Sequence, residues 1–186
     1  RVRHLVYLSS HTIYGAHRDN PVPITEEAPT RPNRGFQYAE QKVQCEELIS
    51  QFCQSHPSTC ATILRSCVVM GPTADNFVTQ ALSKPFLVGV LESDPWMQFV
   101  HESDLARLIA QVVLDPRPGI YNVAGERVVR YSRLAEMARR PLFFLPSAPA
   151  YPLTQLAWRL GIQKDSPAVG LDLIRYPMLV STGKVK

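Results

Sequence analysis

Long apolar runs are missing from this sequence of 186 residues. A membrane-spanning helix needs about 20 consecutive apolar residues, and no stretch of the chain approaches that length. Charged residues make up only 19% of the chain and hydrophobic residues 45%, which argues against a disordered polypeptide and is enough to bury a core. We therefore expect a soluble, cytoplasmic, globular protein with no membrane partner.

Cysteine is scarce and is not arranged for metal binding. The sequence contains Cys45, Cys53, Cys60 and Cys67, with no C-x-x-C pair and no accompanying histidine cluster. This spacing supports neither a zinc site nor a disulfide framework. We predict ordinary free thiols and no metal centre.

Positive charge is only in modest excess, with a net charge of +4. The densest basic stretch carries Arg127, Arg130, Arg133, Arg139 and Arg140. Such a stretch is typical of a solvated helix face, and binding of an anionic small molecule is the main alternative. No long basic run or nucleic-acid-binding motif accompanies it, so nucleic acid is not an expected partner.

Strand and helix patterns alternate through residue 139. Apolar runs at residues 4–9 and 60–70 predict strands buried on both faces, and "MQFVH" and "GIYNVAG" predict shorter strands. Helices are predicted at residues 36–53, 77–83, 104–114, 132–139 and 153–160. This alternation indicates an α/β protein with a mainly parallel sheet and a proline-rich C-terminal lobe.

Several polar residues near the predicted elements have expected structural roles. Asn76, Asp104 and Ser132 are expected to cap the helices that begin near them. His101 and Asn122 are expected to support the backbone and not to take part in chemistry.

Small and polar side chains follow the first predicted strand. "YLSSHTIYG" places Ser9, Ser10, His11 and Thr12 where that strand ends. Ligands of open parallel sheets lie at the carboxyl ends of the strands, so these residues are candidates for a binding site. Ordinary turn formation explains the same four residues equally well.

A tyrosine and a lysine share one face of the first predicted helix. Tyr38 and Lys42 are four residues apart in "YAEQK". An ammonium about 5 Å from a phenol stabilises the phenolate by roughly 3 kcal/mol at an effective dielectric near 20. That is about two pKa units, which brings Tyr38 within reach of general-base catalysis near neutral pH. A surface Tyr–Lys pair is the alternative for this motif taken alone.

Together these segments resemble the extended short-chain dehydrogenase/reductase family, the NAD-dependent epimerase/dehydratase group. The order and spacing match in "LVYLSSHTIYG", "PITEEAPTRP", "YAEQKVQCEELI", "ILRSCVVMGP", "FVHESDLARLI" and "GIYNVAG". The resemblance covers nearly all of residues 4–139. It implies a Rossmann-like parallel sheet, built from residues 1–72 and 98–125, and a substrate-binding lobe, built from residues 73–97 and 126–186.

The resemblance also implies an activity and the residues that perform it. Ser10 would hydrogen-bond the reacting oxygen, Tyr38 would exchange a proton with the substrate hydroxyl, and Lys42 would hold the nicotinamide ribose. The implied reaction is hydride transfer at a hydroxyl-bearing carbon, with NAD or NADP as cofactor and a nucleotide sugar as one candidate substrate. The family is often homodimeric, which implies a dimer for the parent protein.

Further residues of the implied site contact the cofactor or the substrate. On the cofactor side, Tyr38 and Lys42 would be joined by Ser9, Ser66 and Cys67. On the substrate side, Ser10 would be joined by His11, Thr12 and Asn76.

The sequence departs from the family pattern in several places. The Gly-rich loop that binds pyrophosphate at a helix N-terminus is absent, as is the residue that selects NAD or NADP, so we expect a fragment that lacks the N-terminal half of the Rossmann domain. Val68 stands where nucleotide-sugar members usually carry Asn, and Met97 where they often carry an Arg that binds phosphate. Asn76 is the remaining phosphate feature.

Two positions distinguish between branches of the family. His11 and Thr12 stand where dehydratases carry an acidic pair, so an epimerase or a reductase fits better.

Two further possibilities stay open: a non-catalytic dinucleotide-sensing protein of the same fold, and a fragment that alone binds no dinucleotide and catalyses nothing.

Overall fold

The chain folds into parallel strands connected by helices. The computed structural model describes residues 2–162 and 166–185; Arg1, residues 163–165 and Lys186, which the predicted domains include, lie outside the described residues. The strands are β1 His4–Ser10, β2 Cys60–Ser66, β3 Val68–Met70, β4 Leu87–Val90, β5 Trp96–His101, β6 Gly119–Val123, β7 Val128–Arg130 and β8 Leu142–Leu145. The helices are α1 Gln37–Ser55, α2 Phe77–Leu82, α3 Glu102–Leu114, α4 Tyr131–Met137 and α5 Ser147–Arg159, with 3-10 helices at His11–Tyr14 and Ala168–Ile174.

A parallel sheet in the order β1-β2-β6 organises the molecule. Ser10 lies opposite Ser66, and Ser66 lies opposite Val123, so the three strands end at the same level. The polar residues that follow β1 and β2 are therefore brought side by side. Strand β1 forms one edge of this sheet, since among the described strands it pairs with β2 alone.

Helices pack on both faces of this sheet. Neighbouring residues of β2 point to opposite faces, so β2 contacts a different helix on each side. Leu64 packs with Leu105 and Val112 of α3 in a buried apolar cluster. The next residue, Arg65, points to the other face and forms a buried ion pair with Glu46 of α1. The α/β class with parallel strands, predicted from the alternation of patterns, is confirmed.

Two smaller sheets build the rest of the molecule. Strand β5 pairs in parallel with β3 and antiparallel with β7, and β4 pairs in parallel with β8. The β4–β8 pair lies within the predicted substrate lobe, whereas β5 crosses the predicted boundary at residues 97 and 98. The division into two domains stays a prediction.

The loop between the first 3-10 helix and α1 is held by the C-terminal segment. The Ile24 N–H donates to the Leu179 carbonyl at 2.7 Å, and the Ser181 N–H donates to the Ile24 carbonyl at 2.7 Å. Ile24 and Val180 are buried together with Ile13, Tyr14 and Cys67. The last described residues thus pack against the same core as the first strand.

Two predictions about strands are wrong. Residues 60–70 do not form one strand, because the chain changes sheets at Cys67: its N–H still bonds Val123 of the central sheet, at 2.8 Å, while Val68 already pairs with Phe99 of β5. Strand β1 is not buried on both faces, since Leu8 is 38% exposed at the sheet edge.

Two predicted helix caps are also wrong, because side chains from elsewhere take their place. Helix α3 begins at Glu102 and is capped by the His101 ring, which accepts a bond from the Ser103 N–H at 3.2 Å; Asp104 lies in the first turn. Ser132 is inside α4 and donates its N–H and hydroxyl to Asp94 at 2.8 and 2.7 Å. The structural role expected for His101 is confirmed, as is the cap formed by Asn76.

The C-terminal lobe contains more regular structure than its prolines predicted. Helix α5 begins at Ser147, six residues before the predicted start at Leu153, and continues through Pro152. Strands β4, β7 and β8 were not predicted. No helix among the described residues is long and apolar enough to cross a membrane.

Candidate active site

A cavity of about 700 Å³ lies at the carboxyl ends of β1 and β2. All nine residues that the sequence predicted for the site line this cavity: Ser9, Ser10, His11, Thr12, Tyr38, Lys42, Ser66, Cys67 and Asn76. They come together because the ends of β1 and β2 are level, while α1 brings its first turns to the same place.

Ser10 is held in one orientation by Thr12. Ser10 caps the 3-10 helix that follows β1, and its Oγ accepts bonds from the Thr12 N–H at 3.2 Å and the Thr12 hydroxyl at 2.9 Å. Because both bonds arrive at the serine oxygen, the serine proton remains available to donate to a ligand. Thr12 therefore positions Ser10, a role that the sequence did not reveal.

Tyr38 and Lys42 stand on α1 at the cavity wall. Tyr38 is 50% exposed, and its hydroxyl has no hydrogen-bond partner among the described residues. The Lys42 ammonium lies 5.6 Å from the centre of the Tyr38 ring and 4.9 Å from that of Tyr7. It donates one bond to the Leu8 carbonyl at 2.7 Å, which leaves two of its three N–H donors for other partners.

His11 is a buried, neutral ring in the wall. Burial lowers the pKa of His11 to about 4, and a hydrogen bond to the Ser66 backbone only partly offsets that effect. Its Nδ1 atom is buried and has no hydrogen-bond partner in the part of the chain that the structure describes. The ring is therefore uncharged near pH 7 and unsuited to donate a proton there.

The cofactor-side residues form the floor of the cavity. The Ser66 hydroxyl donates to the Cys67 carbonyl at 2.8 Å, and the Cys67 thiol donates to Gln98 at 3.8 Å. Burial raises the pKa of the Cys67 thiol, so it stays protonated and unreactive. Like His11 Nδ1, the Ser9 hydroxyl is buried and has no hydrogen-bond partner within residues 2–162 and 166–185.

Asn76 uses its side chain within the protein. Its Oδ1 accepts bonds from the N–H groups of Val78 and Thr79, at 3.0 and 3.3 Å, and its Nδ2 donates to the Val69 carbonyl at 2.8 Å. The N–H groups of Val78 and Thr79, which would have to be free to bind a phosphate, are therefore already bonded.

In the rest of the wall, sequence reasoning had singled out only Val68 and Met97, as departures from the family pattern. Six large side chains, aromatic or methionine, come from four separate segments: Phe36, Phe77, Trp96, Met97, Tyr176 and Met178. No local motif joins these segments, and the exposed aromatic rings give no signal in a single sequence.

Comparison with known proteins identifies the family. The NAD dependent epimerase/dehydratase family matches residues 1–124. An uncharacterized protein of Mycobacterium tuberculosis is 23% identical over 139 residues, which are 75% of this chain and 37% of that protein. The chain thus spans well under two thirds of the length of this relative.

Two solved structures have a similar fold. The UDP-glucose 4-epimerase of Thermus thermophilus, in complex with NAD, has a TM-score of 0.69 and 21% identity, and the match covers 98% of this chain and 57% of that one. The dTDP-glucose 4,6-dehydratase DesIV of Streptomyces venezuelae, a double mutant with NAD bound, has a TM-score of 0.68 and 19% identity, with 99% and 53% covered. The family match, which covers two thirds of the chain, and the shared fold agree with the geometry of the cavity: this chain belongs to the NAD dependent epimerase/dehydratase family.

Proposed function

We propose that this chain provides the catalytic wall of an NAD(P)-dependent oxidoreductase or epimerase that transfers hydride at a hydroxyl-bearing carbon. The observation that carries the proposal is that Ser10, Tyr38 and Lys42 line one cavity. The chain spans about half the length of the solved structures that it resembles, so the proposal concerns the complete protein of which these residues are a part.

The three side chains have complementary roles in this proposal. The Tyr38 hydroxyl, which has no hydrogen-bond partner among the described residues, exchanges a proton with the substrate hydroxyl. Ser10 donates its remaining proton to the same substrate oxygen, in the orientation that Thr12 imposes. The Lys42 ammonium lies 5.6 Å from the centre of the Tyr38 ring and holds the nicotinamide ribose beside it.

The residues around the cavity fit a nicotinamide cofactor on this side. Ser9 Oγ and His11 Nδ1 are buried polar atoms that find no hydrogen-bond partner among the described residues. An unmet hydrogen bond of this kind costs about 1–3 kcal/mol, and a bound ligand can supply the missing partners. Lys42 keeps two free donors for ribose hydroxyls. When bound, the nicotinamide supplies the hydride chemistry that no amino acid provides.

The neutral His11 favours epimerase or reductase chemistry over dehydration. Removal of a hydroxyl as water needs an acid beside the leaving oxygen. His11 has a pKa of about 4, so near pH 7 its ring is neutral and cannot act as the acid. The Thr12 hydroxyl is not acidic enough to replace it. The wall therefore suits proton exchange at Tyr38 without loss of water.

We expect Tyr38→Phe to remove turnover and to leave the fold and cofactor binding intact. General acid–base catalysis contributes typically 10²–10⁴-fold, so turnover should fall by about that factor. The assay follows nicotinamide absorbance in the complete protein encoded by the gene, and calorimetry measures cofactor affinity.

Tyr7→Phe is the matched control for Tyr38→Phe. The Tyr7 ring also lies against Lys42, but Tyr7 does not line the cavity, so loss of its hydroxyl should leave turnover unchanged. Turnover that survives Tyr38→Phe would refute the role assigned to Tyr38.

A further inference from the structure

The cavity wall carries almost no positive charge. Among the described residues that line it, Lys42 is the only Lys or Arg, and it stands beside Tyr38 at the α1 end. His11 is neutral near pH 7 because burial lowers its pKa to about 4. At the opposite end, around Asn76 and Trp96, the one charged side chain of the wall is the acidic Asp75.

Two of the first three N–H groups of α2 are not free to replace the missing cations. The N–H groups of Val78 and Thr79 already donate to Asn76 Oδ1, at 3.0 and 3.3 Å. The Asn76 N–H donates to the Thr79 hydroxyl at 2.9 Å, which closes a reciprocal capping box. Asp75 stands directly before this helix, and its carboxylate repels a second anion.

The arginines near the cavity are engaged elsewhere. Arg130 stacks on the Trp96 ring, with its guanidinium carbon 4.2 Å from the ring centre, and donates to the Asp94 carbonyl at 2.6 Å. Arg140 donates to the carbonyls of Leu82 and Ser83. Arg175 lies 5.2 Å from the centre of the Tyr176 ring and donates to Tyr151. None of these three lines the cavity.

The substrate side of the wall is instead apolar and aromatic. Val69, Phe77 and Met97 face the cavity together with Ile174 and Met178. Such a surface binds the hydrocarbon part of a ligand and gains about 25 cal/mol for each Å² of apolar surface that it covers. Methionine and aromatic side chains also adapt to irregular apolar shapes.

We infer that this cavity takes an uncharged, hydroxyl-bearing substrate with an apolar body, and not the diphosphate of a nucleotide sugar. The inference rests on the proposed hydride transfer and specifies its substrate class. A diphosphate carries two negative charges, and enclosing them beside Asp75 is strongly unfavourable, because the only Lys or Arg among the described lining residues, Lys42, stands at the other end of the cavity. An apolar secondary alcohol needs only the Ser10–Tyr38 pair for its oxygen and the apolar wall for its carbon skeleton.

The test compares two probes in a chain with a single tryptophan. Trp158 lies on α5 away from the cavity wall, so Trp158→Phe leaves Trp96 as the reporter of the cavity. The probes are 4-tert-butylcyclohexanol, a neutral secondary alcohol that does not absorb in the ultraviolet, and UDP-glucose. We expect the alcohol to shift Trp96 emission saturably, and UDP-glucose to bind at least tenfold more weakly.

Substitutions at Met97 test whether the lack of a positive charge on the substrate side causes the preference for the alcohol over UDP-glucose. Met97→Arg should raise the affinity for UDP-glucose at least tenfold and weaken binding of the alcohol. Met97→Gln, neutral and of similar size, should weaken the alcohol without improving UDP-glucose. The comparison of the two probes in the Trp158→Phe chain decides the inference even where a Met97 variant fails to fold.

The outcomes separate this inference from the proposed function. Tighter binding of UDP-glucose than of the alcohol overturns the substrate class, while hydride transfer is tested independently by Tyr38→Phe. Absence of saturable alcohol binding overturns it as well. Selective alcohol binding with the reciprocal change in Met97→Arg supports it.

Discussion

Burial determines what the His11 side chain can do. Its ordinary pKa of 6.5 falls to about 4 in the folded chain, so folding requires the neutral ring at mildly acidic pH. The unfolded chain binds a proton to His11 below pH 6.5, whereas the folded chain does so only near pH 4. Stability is therefore lost as the pH falls through this window and is fully present above it.

We expect His11→Gln to reduce the loss of stability between pH 7 and pH 4. The shift of His11 corresponds to about 3 kcal/mol, because one pKa unit is worth about 1.4 kcal/mol. Glutamine is neutral at both pH values and can keep a bond to the Ser66 backbone. Urea unfolding at pH 7, 5.5 and 4 measures the difference from the unsubstituted chain.

An exposed histidine provides the comparison for this experiment. His56 directly follows the C-terminal end of α1 and is exposed, so His56→Gln shows the effect of the same substitution outside the cavity wall. Equal pH dependence in the His11→Gln chain and the unsubstituted chain would contradict the assignment of a buried, neutral His11.

At the scale of single residues, the site could be predicted from the sequence where its residues are close together in the chain. Ser9 to Thr12 are adjacent in the chain, and Tyr38 and Lys42 are one helical turn apart, so their proximity followed from local geometry. The bond from the Thr12 hydroxyl to Ser10 and the unpartnered His11 nitrogen depend on the exact path of the turn, which residue types alone do not specify.

One buried network joins α1, β2, β6 and the long loop. The Arg65 guanidinium pairs with Glu46 at 2.7 Å and donates to the Tyr14 hydroxyl at 2.8 Å. Tyr14 in turn donates to Asn122 at 2.8 Å, and the Asn122 side chain donates to the Ile24 carbonyl at 3.2 Å. Asn122 is fully buried, and its expected structural role is confirmed.

We expect Glu46→Gln to destabilise the chain by about 3–5 kcal/mol, because it leaves the buried Arg65 charge uncompensated. The Arg65 and Glu46 side chains are 5% and 9% exposed, so solvent cannot take over the lost interaction. Urea unfolding at neutral pH measures the change.

A solvent-exposed ion pair is the matched control. Arg31 and Asp19 are 2.8 Å apart, close to the 2.7 Å of the buried pair, but their side chains are 48% and 72% exposed, so Asp19→Asn should change stability very little. A Glu46→Gln chain as stable as the Asp19→Asn chain would mean that the buried pair contributes nothing to the fold.

Strands and helices were predicted well where a local sequence pattern determines them. They were predicted poorly where contacts with a residue distant in sequence determine where an element begins or ends. Helix α1 was predicted from its apolar period and α2 from its Asn76 cap, and both are present, although Leu48 and Phe52 of α1 are exposed. The strand ends at Cys67 because Val68 pairs with Phe99 of β5 in another sheet. Helix α4 begins at Tyr131, and Asp94 accepts a hydrogen bond from the Ser132 N–H in its first turn. Neither partner can be read from the segment itself.

At the scale of the whole molecule, the cofactor side of the site is only partly enclosed. Strand β1 is at the edge of the central sheet, with Leu8 exposed, and no Gly-rich turn precedes a helix in the sequence. The helix N-terminus that binds pyrophosphate in dinucleotide-binding proteins thus has no counterpart among the described helices.

We expect the 186-residue chain alone to show no micromolar binding of NAD or NADP. Lys42, Ser9 and Ser66 can contact only the nicotinamide end, whereas most dinucleotide affinity comes from the pyrophosphate and adenosine. Isothermal titration calorimetry of the chain with each dinucleotide tests this directly. A micromolar dissociation constant would show that these residues suffice.

The overall class could be predicted because strand and helix patterns alternate along the chain. The apolar character of the cavity could not, since its wall is assembled from segments as distant in sequence as Phe36, Trp96 and Met178. Their meeting depends on how the β5 segment and the C-terminal segment pack, which a single sequence does not specify.

The open edge of β1 has a consequence for handling this chain in solution. "HLVYLSS" contains no proline and no Lys, Arg, Asp or Glu, so nothing in it opposes the addition of another strand from a second molecule. Samples of the isolated chain should therefore self-associate as concentration rises, with association spreading from residues 4–10. A lysine substituted for Leu8, whose side chain is already exposed, should delay that association.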